Sequence, residues 1–424
     1  MFLVQIIARA WLSDDHYGLM GTLFQVLNLC MIPALGLQTV FAQQAAAASS
    51  QHQKSLLFTT TKKVLSATGF LWALAALLLL AFQNQIASSF KSPSTLPLWI
   101  TLAAALPQLW LPVWMGVLQG QQRFLWLGNG LIFNGIGRLA GAGILVGVCQ
   151  LGVSGAVGAA FLGFAGAFAM CTLAVDRREL TSTDETGEAE KADGDEAFNW
   201  GRWIGMVAPL TLGLGASTFF LGYDMIVVRM KFPEGMTGDY AYASLFGRGL
   251  VIFTIPIAQV MFPKIVKLAG SRENSGASGM IRNSLLATGG LAVIISAGVT
   301  VLCLGIKAMI SGDWAWDPAG LRDRLQPEQL AMITNVCGLA PWFLWSMTPL
   351  CLANVLINQL MALRFFRYFP ALVGVTVAYG VCLALWTPTQ LIQVIHNIGL
   401  FSLLLLATAA FAVKRYENQR NQAK

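Results

Sequence analysis

Charge is scarce in this chain. Asp, Glu, Lys and Arg make up 11% of its 424 residues and hydrophobic residues 56%, whereas a soluble domain carries roughly 25% charged residues. A water-facing exterior is therefore excluded. CxxC pairs are missing as well: the seven cysteines stand singly in or beside apolar segments, so neither a disulfide frame nor a cysteine metal cluster is expected. No glycine loop of the Walker type occurs, so ATP hydrolysis is not encoded, and no cofactor is expected. The alternating pattern of barrel strands is absent. Met1–Ala10 lacks the basic region and cleavage site of a signal peptide.

What the chain does have is a succession of apolar runs near 20 residues long, the length that crosses a bilayer as a helix. Backbone in hydrocarbon must satisfy its own hydrogen bonds, so the spans are helical. The fold class is all-α and polytopic, with eleven spans at about 19–48, 64–87, 95–119, 124–149, 151–175, 202–228, 238–263, 284–310, 329–357, 365–387 and 391–413, after an apolar fragment at 1–8. The net charge of +7 reflects basic loops rather than nucleic-acid binding. With the 49–63 loop cytoplasmic, 18 of the 27 Lys and Arg residues fall on that side, seven on the other, and two (Arg138 and Arg248) within spans. The positive-inside rule then puts the C-terminus in the cytoplasm.

The polar stretch DRRELTSTDETGEAEKADGDEAFNWGR reads as a flexible cytoplasmic linker. It divides the chain into an N-terminal lobe at 1–176, the linker at 177–201 and a C-terminal lobe at 202–424. An internal repeat supports this division. Tyr17 and Tyr240, and Pro33 and Pro256, share an offset of 223, which places two helices identically within six-helix halves, the kind of repeat from which many secondary transporters are built. The same offset aligns Asp224 with Met1, so most of the first helix of the first half is expected to be missing.

Ionisable residues inside spans are costly, about 2.5–3.5 kcal/mol each at the bilayer centre, and normally face a cavity or a partner. Asp224 and Arg248 both fall in the outer half of the membrane, and Arg138 sits mid-span. Two readings stand side by side. In one, Arg138 and Arg248 hold an anion or phosphate in a water-filled cavity, with Asp224 as counter-charge or proton-coupled switch. In the other, Asp224 and Arg248 form a structural salt bridge and Arg138 is a packing residue. Pro33 and Pro256 are candidate flexing points of cavity-lining helices. The GxxxG spacings Gly137–Gly141 and Gly143–Gly147 read as helix packing. Trp110, Trp114, Trp126, Trp342 and Trp345 read as interface anchors, and His396 as a packing residue.

Three stretches carry a family resemblance: ARAWLSDDHYGLMGTLFQVLNLCMIPALGLQTVFA, the LQGQQRF loop, and YDMIVVRMKFPEGMTGDYAYASLFGRGLVIFTIPIAQVMFPKIVK. They resemble the polysaccharide transporters of the multidrug/oligosaccharidyl-lipid/polysaccharide exporter superfamily. The resemblance implies two six-helix lobes, MATE-like, in pseudo-two-fold arrangement around a central cavity. It implies a non-enzymatic flippase in a bacterial inner membrane, carrying an undecaprenyl-pyrophosphate-linked oligosaccharide for surface polysaccharide such as O-antigen. Arg9, Arg138 and Arg248 are then the pyrophosphate candidates. The implied partners are the lipid-linked oligosaccharide, membrane lipids, and a polysaccharide polymerase and glycosyltransferases, with the transporter itself acting as a monomer and no nucleic acid involved. Rival readings are a cation-coupled drug or metabolite exporter of the same superfamily, a lipid II flippase, and a membrane glycan polymerase or ligase using the outer loop at about 311–328.

Overall fold

The computed structural model describes residues 4, 5, 8, 11–48, 50–175, 200–269, 275–312, 325–363 and 365–422; side chains at 52, 200, 202, 255, 256, 258–269, 275–278, 280, 281, 420 and 421 are not described. Among the described residues the chain is helical, with no strand. Ten helical segments among the described residues are long and apolar enough to cross a membrane, and the chain is a multi-pass membrane protein. The remaining span of the sequence reading, the seventh, at 238–263, falls in a helix most of whose side chains beyond Thr254 are not described.

The chain divides into two compact units, Met1–Gly215 and Ala216–Lys424. The first contains α1 (Asp14–Cys30), α2 (Ile32–Ala47), α3 (Gln51–Ser89), α4 (Leu96–Gly120), α5 (Phe124–Ala142), α6 (Gly152–Ala174) and most of α7 (Trp200–Phe220). The boundary lies inside α7, while the expected linker at 177–201 is almost wholly outside the described residues. The second unit contains α8 (Tyr223–Lys231), α9 (Glu234–Ala269), α10 (Ser275–Ser311), α11 (Pro327–Ala362), α12 (Phe369–Leu385) and α13 (Leu391–Gln422).

Each unit repeats one packing order. In the first, α4 is central: it packs on α2, α3 and α6, and α5 packs on α6. In the second, α11 packs on α9, α10 and α13, and α12 packs on α13. The helices that carry Tyr17–Pro33 and Tyr240–Pro256 therefore hold matching places, as the offset of the two motifs suggested. Both central helices carry two internal prolines, Pro107 and Pro112 in α4 and Pro341 and Pro349 in α11. Packed neighbours make such interruptions tolerable in a membrane helix. The flanking helices face outward: Phe70 of α3 is 72% exposed and Ile294 of α10 71%, the pattern of side chains meant for lipid.

Local sequence sets most of the boundaries. Ser50 and Gln53 form a reciprocal capping box that starts α3. The span predicted at 19–48 is broken at Met31, because Pro33 has no amide to donate to Leu29 and opens α2 instead. By contrast, α9 runs through position 256 as continuous helix. The predicted span at 202–228 is two helices. The amides of Leu221 and Gly222 turn back to the carbonyls of Thr218 and Phe219, and the chain restarts at Tyr223. The 143–148 segment is a π-helical turn, a rare conformation found mostly as single turns within α-helices.

Close approach is purchased with glycine. At Gly137 a Cβ would stand 3.0 Å from Gly163 Cα, and at Gly141 2.9 Å from Ala159 Cα; this GxxxG pair packs α5 on α6. The second pair does not act this way, since Gly143 has nothing within 4 Å. Two tryptophans also depart from the anchor reading. Trp114 is buried, and Trp110 donates to Thr68 Oγ1 at 3.0 Å while its ring lies 5.6 Å from Phe168, tying α4 to α3 and α6. His396 packs edge-on against Trp342.

The contact of α2 with α4 in the first unit is close: a Cβ on Gly116 would stand 2.5 Å from the Gln38 carbonyl oxygen. Gly116→Leu should cost about 1–3 kcal/mol through forced backbone separation, measured as a lower melting temperature in detergent. Gly135→Leu, at a position with nothing within 4 Å, should leave the melting temperature unchanged.

Candidate functional site

The buried charges converge where α8 meets α9. Asp224 lies in the first turn of α8, where a carboxylate suits the positive end of the helix dipole. Tyr240, Ser244 and Arg248 follow one another at intervals of four along α9, a spacing that aligns them on one helix face. That face is turned on Asp224. Arg248 Nη2 donates to both carboxylate oxygens at 3.1 Å, and the Tyr240 hydroxyl donates to Oδ2 at 2.8 Å. Arg248 Nη1 donates to Ser244 Oγ at 2.7 Å, and Ser244 in turn donates to the Ala241 carbonyl at 2.7 Å.

Asp224 has no exposed surface and Arg248 is 7% exposed. Aromatic side chains enclose them. Tyr240 packs edge-on against Phe343 of α11 at 4.9 Å; Phe219 stacks on Tyr223 at 4.7 Å, and Phe220 on Tyr379 at 4.4 Å. The Tyr379 hydroxyl is buried with no hydrogen-bond partner among the described residues. A Cβ on Gly247 would stand 3.1 Å from the Phe343 carbonyl oxygen, so α11 closes over α9 beside the pair. In so dry a setting the two charges stabilise each other strongly, and losing either leaves the other stranded.

The sequence-predicted residues thus separate. Asp224 and Arg248 come together as an ion pair, the arrangement the structural reading anticipated. Arg138 belongs to the other unit. Its guanidinium carbon lies 4.1 Å over the Phe164 ring, in a space kept open by Gly163, whose Cβ would meet Arg138 Cγ at 2.5 Å. Arg138 forms no ion pair among the described residues, and its buried Nε has no hydrogen bond. Arg9 lies outside the described residues, as does most of the loop at 311–328. Pro33 opens α2, and the side chain at Pro256 is not described. Among the described residues no group of three or more His, Cys, Asp or Glu is placed to hold a metal.

Two cations were missed by sequence reasoning, which assigned them to an outer loop. Arg229 is 1% exposed and donates to Thr237 Oγ1 at 3.0 Å, linking α8 to the first turn of α9. Lys231 donates to the carbonyls of Leu383 and Ala384 at 2.9 and 2.7 Å, and to that of Trp386, capping the C-terminus of α12. No sequence signal distinguished them from ordinary flanking cations: the acceptors of Lys231 lie some 150 residues away, and Arg229 is buried against Thr237 only because α8 folds back onto the start of α9.

Neither a protein-family model nor a curated protein matches the sequence. Solved structures do. An inward-facing multidrug resistance MATE family transporter of the MOP superfamily is similar with TM-score 0.75 at 12% identity, over 100% of this chain and 95% of that one. The lipid II flippase MurJ in an inward closed conformation gives 0.62 at 13%, over 97% and 86%. The Vibrio cholerae MATE transporter VcmN in its bent form gives 0.61 at 13%, over 99% and 93%. The chain has the fold these proteins share.

Removing one member of the pair should cost about 3–5 kcal/mol. Arg248→Met alone should sharply lower the melting temperature in detergent, while Asp224→Leu combined with Arg248→Met should recover most of the loss. Tyr240→Phe removes one hydrogen bond to a charged acceptor and should cost about 1.5–3 kcal/mol in the same measurement.

Proposed function

We propose that this protein is an alternating-access membrane transporter whose cargo carries a phosphate group, and that the cargo is a lipid-linked oligosaccharide diphosphate moved across the cytoplasmic membrane. The fold supports the transporter class: an exporter and a lipid flippase share it over nearly the whole chain. The family resemblance of the Asp224–Arg248 stretch supports the cargo. So does the physical need, because a charged diphosphate and its sugar hydroxyls cross a bilayer only if a polar environment replaces their water.

One observation divides the roles of the arginines. Arg248 is neutralised by Asp224, whereas Arg138 is held by an aromatic ring. A ring fixes a guanidinium by its face and leaves the edge, where the N–H donors lie, for a planar bidentate acceptor. Arg138 is accordingly the phosphate contact, and Asp224 is the counter-charge that holds Arg248. A diphosphate would reach Arg248 only by displacing Asp224, which would part α8 from α9. In this reading the basic loops and C-terminus are cytoplasmic, and no bond in the cargo is made or broken.

Reconstitution tests the proposal. Proteoliposomes containing the full chain should translocate a fluorescent polyprenyl-diphosphate oligosaccharide, and Arg138→Ala should slow this about tenfold, with partial retention in Arg138→Lys. Undiminished transport in Arg138→Ala removes it as the phosphate contact. Failure to move the lipid, together with gradient-driven efflux of a cationic dye, would favour a cation-coupled exporter instead.

A further inference from the structure

The seam between α10 and α11 holds two thiols that transport leaves unused. Four contacts fix its register. A Cβ on Gly289 would stand 3.4 Å from Leu352 Cδ2, and Ser296 Oγ lies 3.3 Å from Thr348 Oγ1. Trp345 Nε1 donates to Thr300 Oγ1 at 3.2 Å, and Lys307 Nζ lies 4.0 Å from where a Cβ on Gly338 would stand. Numbers rise along one helix as they fall along the other, so the two run antiparallel. Cys303 falls between the last two crossings on α10, and Cys337 adjoins Gly338 on α11. Both are free and buried, and their side chains are hydrogen-bonded to each other.

Thiols in such contact must still approach to reach the S–S bond length of about 2.05 Å. The α11 backbone can yield at this point. Pro341, inside α11, has no amide to donate to the Cys337 carbonyl, and Gly338 brings no side chain to the seam. Lys307 stands one turn beyond Cys303 and acts electrostatically on Cys337, so positive charge lies beside the sulfurs when one becomes a thiolate. Lys307 and Gly338 also line a cavity of about 420 Å³, which gives a small oxidant a way in. We infer that Cys303 and Cys337 form a redox pair that a hydroperoxide converts to a disulfide, locking the lipid-facing α10 onto the central helix of its unit. One thiolate attacks the peroxide O–O bond and takes an oxygen as sulfenic acid; the hydroxide released recovers that thiol's proton as water. The second sulfur then displaces the sulfenic oxygen to form the S–S bond, and its proton leaves with that oxygen as a second water. Both sulfurs are oxidised and both peroxide oxygens reduced.

Peptide mapping without reductant tests this on the full-length protein in detergent, first reduced and then treated with hydrogen peroxide. Trypsin should release peptides 283–307 and 325–364 joined, lighter than their sum by two hydrogen atoms, and dithiothreitol should separate them. Cys303→Ser and Cys337→Ser should each abolish the joined species. Cys351→Ser, which alters the other cysteine of the second peptide, should leave it. The oxidised protein should melt at a higher temperature than the reduced one, because a cross-link restricts the unfolded chain, and dithiothreitol should reverse the gain. Oxidation of the exposed Cys149 without any joined peptides overturns the inference, as do peptides still joined in Cys337→Ser. A linked protein that melts no higher than the reduced one overturns the lock. If one serine variant fails to fold, the other decides.

Discussion

The second unit depends on an ion pair shut away from solvent. Asp224 is fully buried and Arg248 nearly so, and desolvating two charges costs several kcal/mol per ion unless geometry and further hydrogen bonds offset it. The surrounding structure supplies those bonds. Tyr240 and Ser244 must stand on the Arg248 face of α9, α8 must begin where it does to present Asp224, and α11 must press on Gly247 to exclude solvent. Each requirement constrains an element, so the break at Gly222, the length of α8 and the close contact of α9 with α11 have a common physical cause.

The same logic separates the buried Arg248 from the half-buried Arg138. A guanidinium against a carboxylate is satisfied and committed; one against an aromatic face is fixed in place with its charge uncompensated. The first is suited to holding helices together and the second to receiving an anion. Charge that stays uncompensated in an apolar protein is costly, which is why it marks function more often than packing.

Much of the architecture was legible in the residues. Apolar runs located the helices, since length and hydropathy alone decide what can cross a bilayer, and the Tyr–Pro spacing identified the helices that turn out to occupy equivalent places in each unit. The division of 202–228 into α7 and α8 escaped notice because the apolar run is continuous through Leu221 and Gly222; the turn is made by backbone hydrogen bonds that leave no compositional mark. Trp110 was misread for a related reason. An indole that anchors at an interface and one that bridges three helices look alike until Thr68 and Phe168 are beside it.

The sequence by itself determined that this is a many-spanning helical membrane protein, where its helices lie, and that Asp224, Arg138 and Arg248 needed partners, because burial of charge in hydrocarbon is costly whatever the fold. Only the tertiary structure decided which partners they have. Arg248 meets a carboxylate 24 positions away, Arg138 meets the ring of Phe164, and Lys231 meets the end of a helix some 150 residues on. Desolvation depends on what surrounds a group in three dimensions, and that is set by helix packing rather than by position along the chain.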